Sequence, residues 1–335
     1  MKKIIVILMV LSCVLSLAFA QGSKEGSPIT SSPFSSEMMD VRVVALKGPT
    51  AMGMVGLMDE AGNGPVDGYN YSFSLEAAPD AVVPQIVKGS VDIAAIPANL
   101  ASIVFNNTGK IKIIGINTLG VLYICQNGGE AITSVEDLRG KTIFSAGKGS
   151  TPQYALESVL SLSGLEIGKD VFIEWKSEHA ECVSALVAAG ENSDKVAMIP
   201  QPFATTAVMS NPSIKISLDL NDAWKAVSGS PLVTGVTVVN KDFAEKHPDA
   251  VNAFLSSYQE SVSLISSDLD KAAELVASYS ILPKAAVAKK ALPECNIVLV
   301  TGDEMRNALN EYFEVLYSLN PASVGGKVPG EEIYY

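Results

Sequence analysis

Histidine, cysteine and tryptophan are scarce in this sequence: its 335 residues hold two histidines, His179 and His247, four cysteines and two tryptophans, and 7% of the chain is aromatic. Imidazole and thiolate are the usual ligands of a zinc centre. The best set available, His179 with Cys182 and Cys295, would have to recruit carboxylates, and we expect no metal site. Nucleophilic catalysis is equally short of parts, because no Gly-x-Ser-x-Gly elbow occurs and His179 stands nearly alone as a base. Gly140-Lys141-Thr142 matches the end of a Gly-x-x-x-x-Gly-Lys-[Ser/Thr] phosphate loop, but Val135 occupies the position of its first glycine. Neither ATP hydrolysis, nor any other catalysis, nor a cofactor is expected.

Basic residues are in deficit too, 24 against 36 acidic, for a formal charge of −12. An acidic surface disfavours nucleic acid and anionic lipid as partners. It leaves open an anionic ligand in a closed cleft, which sets its own local field. After the N-terminus no stretch stays apolar for the ~20 residues a membrane helix needs.

What is present begins with a leader. Lys2 and Lys3 precede an apolar run from 4 to 19, and Ala18-Phe19-Ala20 forms a cleavage site, so residues 1–20 read as a secretory signal peptide. Residues 21–39, rich in Ser, Gly and Pro, read as a flexible linker. A rival reading makes Val10-Leu11-Ser12-Cys13 a lipobox with Cys13 acylated, although residues 14–20 then supply an apolar stretch where a polar spacer belongs. Either way the expected location is outside the cytoplasm, periplasmic or in the cell envelope. Loss of Lys2 and Lys3 moves the charge to −14. Of the three remaining thiols, Cys125 sits in an apolar run and is expected buried and free, leaving Cys182 and Cys295 as the pair to expect if a disulfide forms.

From Val41 the chain alternates short β-type runs with helical stretches, the pattern of mostly parallel sheets covered by helices. Strands are expected over 41–46, 69–77, 91–96, 112–116, 142–145, 171–175, 195–199 and 232–239. Long amphipathic helices follow over 244–266, 269–279, 283–291 and 303–319. Some 315 residues exceed what one core usually serves. We expect two lobes, 40–121 with 236–335 and 122–235, joined by crossings near 117–123 and 232–236.

In such sheets ligands bind at the carboxyl ends of strands, where loops open into helices whose first N–H groups are free. The candidates are therefore Gly48, Pro49, Thr50 and Met52; Pro97 and Asn99; Gly147, Gly149, Ser150 and Thr151; Gln201; and Asn117 and Thr234 at the crossings. The plain alternative for the polar ones is helix capping. The run 174–182 is the densest in chemistry: Trp175 offers a face for a flat ligand, and Glu178 and His179 offer polar contacts, against the plain reading of a strand end followed by an acidic helix start. If Trp175, Phe203 and Tyr154 all face the cleft, a flat or partly apolar organic solute fits better than an ion as small as nitrate.

Three segments carry a resemblance: Ile86-Val87-Lys88-Gly89-Ser90-Val91-Asp92-Ile93-Ala94, Ser134-Val135-Glu136-Asp137-Leu138-Arg139-Gly140-Lys141-Thr142-Ile143, and Asp242-Phe243-Ala244-Glu245-Lys246-His247-Pro248-Asp249-Ala250-Val251. In that order and behind a leader, the chain resembles the ABC-type solute-binding proteins of the nitrate, sulfonate, taurine and thiamine-precursor class. The resemblance implies a two-lobed α/β type II periplasmic binding protein fold, a small-molecule solute, a monomer, and a partner permease and ATPase. Two rival functions differ in kind: a sensing module docked on a signalling receptor, and an enzyme like the pyrimidine synthase of the thiamine-precursor branch, whose Cys and His cluster has no counterpart here.

Overall fold

The computed structural model describes residues 38–335. The leader, Cys13 and nearly all of the linker lie outside the described residues, and Met39, at the end of the span read as linker, already belongs to the first strand. That strand, β1 (Met39–Leu46), leads through Gly48 into the one-turn helix α1 (Pro49–Met52) and then α2 (Val55–Asn63). Gly48 has φ 132°, which a side chain would strain. The same unit recurs as β2 (Tyr69–Glu76), α3 (Pro79–Lys88), β3 (Ile93–Pro97), α4 (Ala98–Thr108) and β4 (Ile111–Leu119).

Through Gly120 and Val121 the chain crosses to a second sheet, with β5 (Leu122–Asn127), β6 (Thr142–Ser145), α5 (Thr151–Leu162), β7 (Phe172–Trp175), α6 (His179–Ala188), β8 (Lys195–Pro200) and α7 (Phe203–Ser210). Next come β9 (Ile214–Asp219) and α8 (Leu220–Ser228), two elements the sequence reading did not anticipate. The return strand β10 (Val233–Asn240) re-enters the first sheet. The helix expected over 244–266 is two, α9 (Lys241–Lys246) and α10 (Pro248–Ser267), because Pro248 suits a first turn and not a helix interior. The chain then forms α11 (Leu269–Ser278), α12 (Ala285–Ala291), the unanticipated β11 (Ile297–Val300) and α13 (Gly302–Leu319).

The sheets have orders β11-β4-β10-β3-β1-β2 and β7-β6-β8-β5-β9. They are mixed, yet most strands of each share one direction as expected, β1, β2, β3 and β4 in the first sheet and β6, β7, β8 and β9 in the second. β1 pairs in parallel with β2 and β3, and β6 with β7 and β8. The strands that enter each sheet directly from a crossing, β5 and β10, run antiparallel to both of their neighbours. Each thus arrives from the far end of its sheet and wedges between strands laid down by βα units.

Burial explains the apolar strand runs. On β1, Val41, Val43 and Ala45 enter one core while Val44 enters another, and on β3 Ile93 and Ala95 separate in the same way from Ala94 and Ile96. A sheet covered by helices on both faces needs apolar residues on both faces. One of these cores continues into the second lobe, where Leu156, Val159, Met198 and Trp224 join Leu309, Tyr312, Phe313 and Leu316 of α13. The last helix therefore packs on α5 as well as on β4 and β10, rather than on the first lobe alone.

Cys125, Cys182 and Cys295 are all free and buried, so the pairing of Cys182 with Cys295 is not made. Cys182 and Cys125 belong to one apolar cluster on one face of the second sheet, whereas Cys295 belongs to the α10–α12 side of the first lobe. Burial raises all three thiols, Cys182 to about 11 and the other two to about 12.

Candidate functional site

Five helix starts converge on a cleft of about 210 Å³ between the two sheets. Gly48, Pro97, Ser150 and Pro202, the residues that precede α1, α4, α5 and α7, line it, and so does His179, the first residue of α6. None of the residues preceding the five helices caps its helix with its own side chain, although at α7 Gln201 Oε1 accepts from the N–H of Thr205 at 3.2 Å. The opening N–H groups of a helix have no intrahelical acceptor and carry partial positive charge, so their convergence favours an incoming anion. Pro49 and Pro152 sit in the first turns of α1 and α5, where a missing N–H removes little.

The side chains agree in sign. Lys47 and His179 are the titratable residues of the lining, and no carboxylate lines the cleft among the described residues. His179 is neutral near pH 7, because burial lowers its pKa to about 4. Its ring packs on Phe203 with centroids 5.6 Å apart. Three lining side chains hold a buried polar atom with no partner: His179 Nδ1, Gln201 Nε2 and Thr234 Oγ1. A buried polar group without a partner is costly, and these three on one cleft lining leave hydrogen-bonding capacity free for another molecule.

Of the residues singled out in the sequence, Gly48, Pro49, Thr50, Pro97, Ser150, Thr151, His179, Gln201 and Thr234 come together on this lining. Some of their hydroxyl protons are already committed. Thr50 Oγ1 donates to Leu46 O at 2.9 Å, and Ser150 Oγ donates to Gly147 O at 2.7 Å. Seven other candidates lie off the lining. Met52 is fully buried in the first lobe's core. Asn117 is buried within its sheet, donating to Thr237 Oγ1 at 3.0 Å and accepting from Thr118 Oγ1 at 2.9 Å. Asn99 accepts from Thr151 Oγ1 across the lobes at 3.1 Å. Gly147 and Gly149 shape the turn before α5, and the Gly149 N–H is taken by Gln153 Oε1 at 2.7 Å. Trp175 ends β7, the edge strand farthest from the crossings, and Glu178 precedes α6 with an exposed side chain.

The loops were thus legible and several side-chain directions were not. Leu46, Lys47, Thr118, Val121 and Leu122 also line the cleft and were missed as ligand candidates. Lys47 carried a usable signal, standing at the carboxyl end of β1 directly before the turn. Of the three aromatics proposed as cleft walls only Phe203 lines it; Tyr154 borders a separate hollow with Leu316 and Leu319.

A family model described as menaquinone biosynthesis matches residues 206–318, about a third of the chain. No curated protein is similar to it in sequence. Among solved structures, an ABC transporter protein from Parabacteroides distasonis is similar with a TM-score of 0.74 and 20% identity, over 89% of this chain and 99% of that one. The periplasmic aliphatic sulphonate binding protein SsuA from Escherichia coli gives 0.69 and 17%, over 88% and 92%. The alkanesulfonate-binding protein SsuA from Xanthomonas axonopodis pv. citri, bound to MOPS, gives 0.64 and 17%, over 87% and 94%. Two mixed sheets flanked by helices, crossed twice by the chain and matched nearly end to end by these structures, establish that the protein has the two-lobed type II periplasmic binding protein fold.

Proposed function

We propose that the protein is an extracytoplasmic solute-binding receptor that closes its two lobes on a small organic anion and delivers it to an ABC permease. The observation that carries this reading is the convergence of five helix starts on an inter-lobe cleft lined by Lys47 and by no carboxylate among the described residues. The pocket is small beside the ~300–1,000 Å³ usual for drug-sized ligands, which favours a compact solute. Phe203, Pro202 and Val121 give it an apolar side suited to a short organic tail. Since Trp175 and Tyr154 lie elsewhere, a flat heterocycle has lost two of its three proposed walls. Sulfonates are the first compounds to try, because two structures of the same fold are named for binding them.

The match to a menaquinone-biosynthesis family favours a second reading, an enzyme on the same fold. It spans residues 206–318 and so leaves out most of the cleft, including Gly48, Pro97, Ser150, His179 and Gln201. One experiment separates the two: a thermal-shift screen of sulfonates, carboxylates, phosphonates and quinone precursors, followed by recovery of each stabilising compound after denaturation. A receptor is stabilised by about RT ln(1 + [L]/Kd), roughly 2.7 kcal/mol at a hundredfold excess, and returns its ligand unchanged. Consumption of the compound overturns the receptor reading.

A further inference from the structure

We infer that Gln201 is a fixed hydrogen-bond donor that takes the solute's anionic head at the floor of the cleft, beside Thr234, leaving the organic tail to face the mouth. This rests on the receptor reading above.

Gln201 is 1% exposed, and its Oε1 accepts from the Thr205 N–H at 3.2 Å. That bond commits the oxygen to α7 and settles which end of the amide remains. Nε2, buried and without an acceptor, can only donate. The Gln201 backbone N–H also donates to Val121 O at 2.9 Å, strapping the residue to the first crossing. Thr234, on β10 just after the second crossing, adds a buried hydroxyl with no partner. The floor thus lies where the lobes are joined. On the same lining, Lys47 and Phe203 are exposed, Phe203 by 38%.

This gradient orders the ligand. An oxygen with lone pairs and no proton satisfies both Gln201 Nε2–H and the Thr234 hydroxyl, whereas an ammonium head would meet N–H donors and no carboxylate. The same pairing makes closure conditional. With the lobes parted, water reaches these donors; with the lobes together on an empty cleft they are orphaned, and an anionic head removes the penalty.

The test is calorimetric titration of the full mature protein with two- and four-carbon alkanesulfonates, carboxylates and phosphonates, and with ethylammonium. The variants are Gln201→Met, Gln201→Glu and Thr234→Val, each checked for native circular dichroism. Wild type is expected to bind at least one anion pair and not ethylammonium, with tail length changing Kd less than the head group does. Gln201→Met is expected to weaken both members of the pair alike by about tenfold or more, and Gln201→Glu by about a hundredfold, since the carboxylate keeps the bond from Thr205 while opposing the anion. Thr234→Val, which keeps the side-chain shape, is expected to weaken binding about tenfold and stands in should the Gln201 variants misfold. Wild-type affinity in Gln201→Met and Thr234→Val overturns the inference while leaving the receptor reading intact. Preference for ethylammonium overturns it as well, and wild-type protein that binds none of the anions removes both.

Discussion

The Thr151 hydroxyl donates to Asn99 Oδ1 at 3.1 Å and accepts from the Tyr312 hydroxyl at 3.2 Å, joining the start of α5 in the second lobe to α4 and α13 in the first. All three side chains are fully buried. Asn99 continues the chain by donating to Ser323 O at 3.4 Å. The hydroxyl of Thr151 therefore serves the joint between lobes, while the start of its helix serves the cleft. Thr151→Val keeps the shape but leaves Asn99 Oδ1 and the Tyr312 hydroxyl short of partners. We expect a loss of about 1–3 kcal/mol in chemical unfolding, with Tyr312→Phe milder because Thr151 keeps its bond to Asn99. Unchanged stability in Thr151→Val would show that the joint is not held there.

His179 gives a pH dependence of defined sign. Its pKa falls from 6.5 to about 4 on burial, so between those values the unfolded chain binds the proton that the native protein refuses. Stability from this residue is complete above about pH 6.5 and is lost as pH falls toward 4, by at most about 1.4 kcal/mol per pH unit. His179→Asn is expected to flatten that part of the profile, read as the wild-type-minus-variant difference in unfolding free energy at pH 4.5, 5.5 and 7. A histidine NMR titration with a native midpoint near 6.5 would contradict the assignment.

The thiols make a chemical prediction. Cys125, Cys182 and Cys295 are buried, and burial raises their pKa values to about 11 to 12, which suppresses the reactive thiolate. Iodoacetamide is expected to leave all three unmodified in native protein and to label all three after unfolding, with no effect of reductant on Tm. Peptide mapping that found Cys182 joined to Cys295 would refute the separate-core placement.

Gly235, in the return strand, is tightly enclosed. An added Cβ would stand 2.5 Å from Asn117 Oδ1 and 2.8 Å from Thr50 Cγ2. Gly235→Ala must therefore displace either the buried amide that holds Thr118 or the cleft-lining Thr50. Overpacking of this kind costs typically about 1–3 kcal/mol. We expect that loss in unfolding experiments together with weakened solute binding, because the strain passes to α1. Full stability with intact binding would mean that the crossing yields more than its packing indicates.

Much of this architecture was legible from periodicity. The βα units announce themselves as short apolar runs followed by helix starts, and so the sequence points to the loops at Gly48, Pro97, Ser150 and Gln201, which line one cleft. The antiparallel course of β5 and β10 was not legible, because a strand buried on both faces reads the same in either direction. Nor was β9, whose Ile214, Ile216 and Leu218 alternate at a sheet edge, with Ile216 exposed. Side-chain direction was the weakest part. Asn99 and Thr151 had the chemistry of ligand donors, and only packing against Tyr312 shows that their side chains are spent on each other. Trp175 had the chemistry of a stacking wall, but β7 carries it to the outer edge of its sheet.

The most direct measurement is non-denaturing mass spectrometry of the purified protein, followed by identification of whatever is released on unfolding and calorimetric return of that compound to stripped protein. The account predicts one small organic anion per chain, released unchanged and rebound with a stoichiometry of one, with binding weakened by Gln201→Met. Release of a chemically altered compound, a bound cation, or a ligand whose affinity is indifferent to every cleft residue would contradict it.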